Sequence, residues 1–174
     1  VICFIDEPIL SGFGSSTYVS VQRDEVVGAV GELVEAIHAE GALAGVPCCG
    51  NTARSIPIDA GAEIVNFEAY QYGETIAMYP EHVRNHLECG NALAWGVVPT
   101  SADVRDQTAE TLADHYEPMV DHLVEKSGLD RGLVYQQTLL TGSCGTGSME
   151  VADAERVFQL TGELSRALRS KHGV

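Results

Sequence analysis

Short apolar runs alternate along the chain with longer segments in which apolar residues recur at helical spacing. Apolar runs bounded by turn residues predict buried strands, and the helical spacing predicts amphipathic helices. The predicted strands are residues 1–5, 42–49, 63–68, 92–98 and 133–140. The predicted helices are residues 22–40, 80–90, 108–126 and 152–170, and Pro57 limits any helix in residues 52–60.

Three of these helices have an apolar stripe that marks the face expected to pack on a sheet. Pro118 is expected to kink the third predicted helix, because proline removes a backbone donor inside a helix. Trp95, inside the fourth strand, is expected to pack in the barrel. The stripes are Val26, Val30, Leu33 and Ile37; Leu112, Met119 and Leu123; and Val157, Leu160, Leu164 and Leu168.

Strands that alternate with helices predict a parallel α/β sheet with right-handed crossovers. An open doubly wound sheet and a (β/α)8 TIM barrel both fit this pattern. The first strand is followed by neither GxGxxG nor GxxxxGK[ST], which weakens the nucleotide-binding open sheet. We therefore expect residues 1–174 to form the later part, about five βα units, of one barrel. The chain opens inside a strand without Met, so we expect an N-terminal part to be missing and the chain to need that barrel half.

Sulfur and carboxylate groups stand at the ends of three predicted strands. Cys48 and Cys49 end the second strand, Glu68 ends the third, and Cys144 follows the fifth. Neighbouring side chains of a strand point to opposite faces, so one of the adjacent cysteines faces inward. Thiolates and a carboxylate on separate strand ends form a zinc-type ligand set, although any single buried cysteine is more often a packing residue.

Five segments in order resemble the cobalamin-independent methionine synthase family, and more closely its short single-barrel relatives in the superfamily that includes uroporphyrinogen decarboxylase. They are FIDEP at 4–8, CCGNT at 48–52, NFEAY at 66–70, LAWGVVPT at 93–100 and LLTGSCGTGS at 139–148. The resemblance implies a zinc ion held by Cys49, Glu68 and Cys144, with Cys48 turned toward the helices. The histidine ligand of that family falls on Pro47, and its usual Asp-Trp after GNT is Ala53-Arg54 here.

The resemblance further implies a methyltransferase that methylates the thiol of homocysteine, as in methionine biosynthesis, or of a similar compound. Zinc would lower the pKa of that thiol, and Asp6 would bind the ammonium group of the amino acid. The methyl donor would be a folate or a methylated corrinoid protein. No catalytic acid or base is identified.

Two other functions remain open from the sequence. A metal-free decarboxylase-like barrel acting on a tetrapyrrole would need basic residues around its pocket, and only Arg54 lies near a predicted strand end. A degenerate, non-catalytic relative that binds a corrinoid-protein partner is favoured by Pro47, which cannot ligate a metal.

Net charge and cysteine content limit the partners and the cellular compartment that we expect for the protein. A net charge of -15 disfavours nucleic acid and anionic membranes as partners, and no apolar run reaches the length of a membrane span. The five cysteines, an odd number, favour a reduced, cytoplasmic context. All six histidines fall in predicted helical segments, where we expect solvated faces, so none is an obvious replacement for the missing ligand.

Overall fold

The computed structural model describes residues 1–6, 21–48 and 53–174. The strands are β1 (Ile2–Phe4), β2 (Leu43–Cys48), β3 (Ile64–Glu68), β4 (Ala92–Val98) and β5 (Thr138–Gly142). The α-helices are α1 (Arg23–Ala39), α2 (Ser55–Asp59), α3 (Pro80–Glu88), α4 (Ala109–Ser127), α5 (Arg131–Gln136) and α6 (Val151–His172). Two 3-10 helices, Gly73–Met78 and Ala102–Asp106, follow β3 and β4.

The described strands form one parallel sheet in the order β1-β2-β3-β4-β5, with each strand paired to the next along the chain. Neighbouring parallel strands need a crossover connection, and helices form most of each connection. The sheet curls into half of a barrel, which confirms the predicted parallel α/β class. All five carboxyl ends therefore lie along the same edge of the sheet.

The main core lies between the sheet and its helices. Alternate residues of β4, among them Leu93 and Trp95, pack there with residues of α4 and α6. The Trp95 ring is tilted against Phe67 at 4.9 Å and meets Tyr116 edge-on at 5.2 Å. Trp95 is thus on the helix-facing side of the sheet, because Tyr116 belongs to α4.

The helix stripes are largely as predicted. The stripe residues of α4 and α6 are all buried, and α4 continues through Pro118. In α1 the stripe prediction is wrong at Leu33, which is 51% exposed, while Val34 is buried beside Val30. The packing therefore follows the i, i+4 spacing there, and sequence periodicity did not separate the two neighbouring positions.

The predicted fifth strand, residues 133–140, is wrong in its first half. Residues Arg131–Gln136 form α5, and β5 begins only at Thr138. The Asp130 side chain accepts a hydrogen bond from the Leu133 N–H at 3.0 Å, which caps the helix at its start. Val134 and Tyr135 are buried by this helix, so their apolar character reflects helix packing rather than a strand.

The other face of the sheet is its inner, concave face. Register places Ile2 beside Leu43, and Phe4 beside Gly45, on this face. The Phe4 ring lies across Gly45, where an added Cβ would be 2.6 Å from a ring carbon. Ile2, Phe4, Leu43 and Leu139 are 39–49% exposed, so this apolar surface is only partly covered by the described residues.

Within residues 1–6, 21–48 and 53–174, no helix is long and apolar enough to cross a membrane.

Candidate functional site

A cleft of about 270 Å³ opens at the carboxyl ends of β3, β4 and β5. Its lining includes Glu68 from the end of β3, Thr100 after β4, and Ser143 and Cys144 after β5. The sequence predicted Glu68 and Cys144 as partners in one site. The structure brings both to this cleft, although they are far apart in the chain, because the carboxyl ends of parallel strands share one edge.

Glu68 enters the cleft from the last position of β3, opposite Gly96 of β4. One carboxylate oxygen, Oε1, accepts a hydrogen bond from the Gln71 N–H at 2.8 Å. This bond fixes the carboxylate and leaves its second oxygen as an acceptor for a ligand. Gly96 has no side chain, and backbone atoms of Phe67, Gly142 and Ser143 fill the space that a Cβ would need there.

The segment that carries Cys144 is held against the end of β4. The Ser143 N–H donates to the Val98 carbonyl at 2.8 Å, next to an irregularity in the β4–β5 pairing. The Thr100 N–H donates to Ser143 Oγ at 3.1 Å, and the two hydroxyl oxygens lie 3.0 Å apart. The Cys144 side chain is exposed and available to reagents or ligands.

Sequence reasoning missed the polar residues that support this cleft. On the inner face, Asn66 Nδ2 donates to the Ala94 carbonyl and to Thr141 Oγ1, each at 3.0 Å. The small side chain of Ala94 on β4 lets Asn66 reach across to β5. One signal was present in the sequence: Asn66 is two residues before Glu68, so strand alternation puts both on one face.

Tyr70 forms one wall of the cleft, and α4 together with the chain leading into it supports this wall. The Tyr70 carbonyl lies 2.8 Å from His115 Nε2, and the two rings are 5.3 Å apart. The Tyr70 hydroxyl accepts a hydrogen bond from Gln107 Nε2 at 3.4 Å. Hydrogen bonds therefore hold both the backbone carbonyl and the side-chain hydroxyl of Tyr70 in place.

The remaining predicted site residues lie elsewhere or outside the described residues. Asp6, predicted to bind the substrate, follows the edge strand β1, is exposed and does not line the cleft. Cys49 falls outside the residues that the structure describes. Pro47 is half-buried on the inner face, paired with Asn66. Cys48 is 1% exposed in the core beneath the helices, as predicted.

The prediction that the histidines occupy solvated helix faces is wrong for His86. This side chain is 3% exposed, and its Nε2 donates to the Ala92 carbonyl at 3.2 Å. Burial lowers the pKa of His86, against the opposing effects of that hydrogen bond and of Glu63. The imidazole is neutral at pH 7 and lies near the amino end of β4, away from the cleft.

Arg54 is a fully buried cation behind the cleft. Its guanidinium lies over the Phe67 ring, 5.1 Å from the ring centre. Burial lowers the pKa of Arg54, and interactions with Cys48, Tyr79 and Glu68 oppose that decrease. The residue therefore influences the cleft through charge rather than as part of its lining.

Thiol and carboxylate groups in one cleft suit zinc, which binds sulfur and oxygen donors. Glu68 and Cys144 are two of the three donors that the family resemblance implies, and the third is not described. Within residues 1–6, 21–48 and 53–174, no three His, Cys, Asp or Glu side chains form a group that could hold a metal ion. In comparisons with known proteins, no protein-family model, no curated protein and no solved structure matches the chain.

Proposed function

We propose that the chain belongs to a zinc-dependent methyltransferase that acts on the thiol of homocysteine or a similar compound. The observation that carries the proposal is the meeting of Glu68 and Cys144 in one cleft at the carboxyl edge of a parallel sheet. Zinc would be held by these two residues and Cys49, as the resemblance to cobalamin-independent methionine synthases implies. In parallel α/β barrels, that edge is where active sites lie.

The fold proposed for this enzyme is a closed (β/α)8 barrel, of which the described strands are the later part. Two features support closure. Ile2, Phe4, Leu43 and Leu139 on the inner face are partly exposed, and strands on the other side of a barrel would cover them. In the described sheet, β1 and β5 each pair with only one neighbour, so both have an edge to offer to further strands.

Bound zinc would supply Lewis acidity that lowers the pKa of the substrate thiol toward neutrality. Glu68 and Cys144 would hold the zinc ion in place, and Tyr70 and Thr100 would enclose the substrate. In the reaction, a sulfur–carbon bond forms while the bond between the methyl group and its donor breaks. The thiol proton goes to solvent, and the electron pair of the broken bond stays with the folate or corrinoid donor.

The proposal is tested on the purified full-length protein by zinc analysis and by methyl transfer to homocysteine. We expect about one zinc per chain and methionine formation from a methylated folate or methylcorrinoid protein. We expect both to be lost in the double variant Cys49→Ser/Cys144→Ser. Zinc content clearly below one per chain and unchanged in that variant would count against the proposal.

A histidine at position 47 separates the enzyme from a degenerate, non-catalytic relative. Pro47 lies on the inner face beside Asn66, so an imidazole there would project from the same face as Glu68. We expect Pro47→His to raise zinc affinity at least about tenfold, because imidazole is a good zinc ligand, and to retain methyl transfer. Tighter zinc binding without methyl transfer to any thiol would instead favour the degenerate relative.

The tetrapyrrole decarboxylase receives less support from the cleft. A substrate with several carboxylates needs cationic side chains, and the described lining of the cleft has a carboxylate and a thiol but no lysine or arginine. Arg54, the basic residue that the sequence placed near a strand end, is buried behind the sheet.

A further inference from the structure

The cleft contains a pair of hydroxyl groups that connects two strand ends. Thr100 follows β4, and Ser143 follows β5 and directly precedes Cys144. Three hydrogen bonds join the two segments: Ser143 N–H to the Val98 carbonyl at 2.8 Å, Thr100 N–H to Ser143 Oγ at 3.1 Å, and the hydroxyl contact at 3.0 Å. The Thr100 backbone N–H makes one of the three and the Thr100 hydroxyl makes another, so the side chain of Thr100 helps to hold the chain where it leaves β5.

A count of the hydroxyl hydrogens shows what this pair can do. Ser143 Oγ already accepts from the Thr100 N–H, and one of the two hydroxyl hydrogens is used between the oxygens. The other hydroxyl hydrogen remains, and both residues line the cleft. The pair therefore presents one donor to the cleft, whichever residue holds it. An acceptor such as a thiolate sulfur or a substrate oxygen suits that donor.

We infer that Thr100 is a positioning residue for Cys144. Through Ser143, it holds the Cys144 thiol at the cleft that Glu68 enters from β3. The inference rests on the proposed zinc site, in which Thr100 acts through Ser143, the residue next to the proposed ligand Cys144. Partners that orient a metal ligand typically change metal affinity by roughly 10–100-fold when they are replaced.

The deciding variant is Thr100→Val, which keeps the size of the side chain and removes its hydroxyl. Thr100→Ser restores the hydroxyl and serves as the rescue. Thr161→Val is the matched control, since Thr161 is another half-buried threonine whose hydroxyl bonds the Val157 carbonyl within α6, far from the cleft. Each purified protein is measured for zinc dissociation constant by chelator competition, and for iodoacetamide labelling of Cys144 without metal.

We expect Thr100→Val to bind zinc about tenfold more weakly, and Thr100→Ser and Thr161→Val to match the wild type. Without metal, we expect Cys144 in Thr100→Val to be alkylated at least about threefold faster, because the released segment lets the exposed thiol move more freely and meet the reagent more often. Exposed Cys89, at the end of α3, provides the internal reference and should react at an unchanged rate.

An unchanged or slower Cys144 rate in Thr100→Val, with unchanged zinc affinity, would overturn the inference. So would an equal effect in Thr161→Val, which would show a general loss of stability. If the wild type binds no zinc, the proposed function fails, and the alkylation rates still decide whether Thr100 positions Cys144. If Thr100→Val does not fold, Ser143→Ala removes the other hydroxyl of the pair and gives the same decision.

Discussion

Replacing Glu68 by Gln is expected to lower zinc affinity by at least about 100-fold, beyond what loss of an outer-shell partner causes. The substitution preserves the shape of the side chain and its acceptor for the Gln71 N–H, but removes the negative charge. A neutral amide oxygen is a much weaker ligand for zinc than a carboxylate. Methyl transfer should fall by a similar factor when zinc is kept near the wild-type dissociation constant.

The control for this variant is Glu74→Gln, because Glu74 is exposed on the 3-10 helix after β3 and does not line the cleft. Cys89→Ser is the corresponding control for the double variant Cys49→Ser/Cys144→Ser, because Cys89 is exposed and does not line the cleft. Isothermal titration of zinc into metal-free protein measures each affinity. Equal zinc affinity in wild type and Glu68→Gln would show that Glu68 is not a ligand of the proposed zinc site.

The second large effect is expected for Gly96→Ala, in β4 opposite Glu68. A Cβ on Gly96 would be 2.8 Å from the Phe67 carbonyl oxygen, 2.9 Å from the Gly142 carbonyl oxygen and 3.0 Å from the Ser143 Cα. These neighbours are backbone atoms of β3 and β5, which cannot rotate away. We expect a loss of about 2–3 kcal/mol in the free energy of unfolding, at the upper end of overpacking costs.

Because the displaced atoms belong to Gly142 and Ser143, the same variant should also move Cys144 and weaken zinc binding. Urea unfolding measures the stability, and Gly28→Ala is the matched control. Gly28 is exposed in α1, and an added Cβ there meets nothing within 4 Å. Alanine there should stabilise the helix by roughly 0.5–1 kcal/mol. If Gly96→Ala were as stable as the wild type, β4 would not pack as closely against its neighbours as described.

Many of the strands and helices could be predicted from the sequence, because the local residue pattern agrees with how these segments pack. β4 was predicted with its observed bounds, since its apolar run is buried on both sides and ends at Pro99. The start of α3 at Pro80 also follows from local chemistry, because proline fits the first turn of a helix. The stretch before β5 was misread because Val134 and Tyr135 suit a strand equally well, and only the cap by Asp130 decides for a helix.

The candidate site was predictable only in part. Glu68 and Cys144 could be paired from sequence, because both end strands that a parallel sheet brings to one edge. Thr100 and Ser143 could not, since a hydroxyl pair between two loops leaves no periodic or compositional signal. The burial of His86 was hidden for a similar reason: its partner is the backbone carbonyl of Ala92, which every residue type supplies equally.

Arg54 has a consequence for the charge balance of the proposed centre. A divalent cation with two thiolates and one carboxylate carries one net negative charge, and a substrate thiolate adds another. The Arg54 guanidinium interacts electrostatically with Glu68 from behind the sheet and opposes part of this negative charge. A neutral residue at position 47, whether proline or histidine, leaves that sum unchanged. Arg54 would therefore limit the build-up of anionic charge where the proposed substrate thiolate would enter.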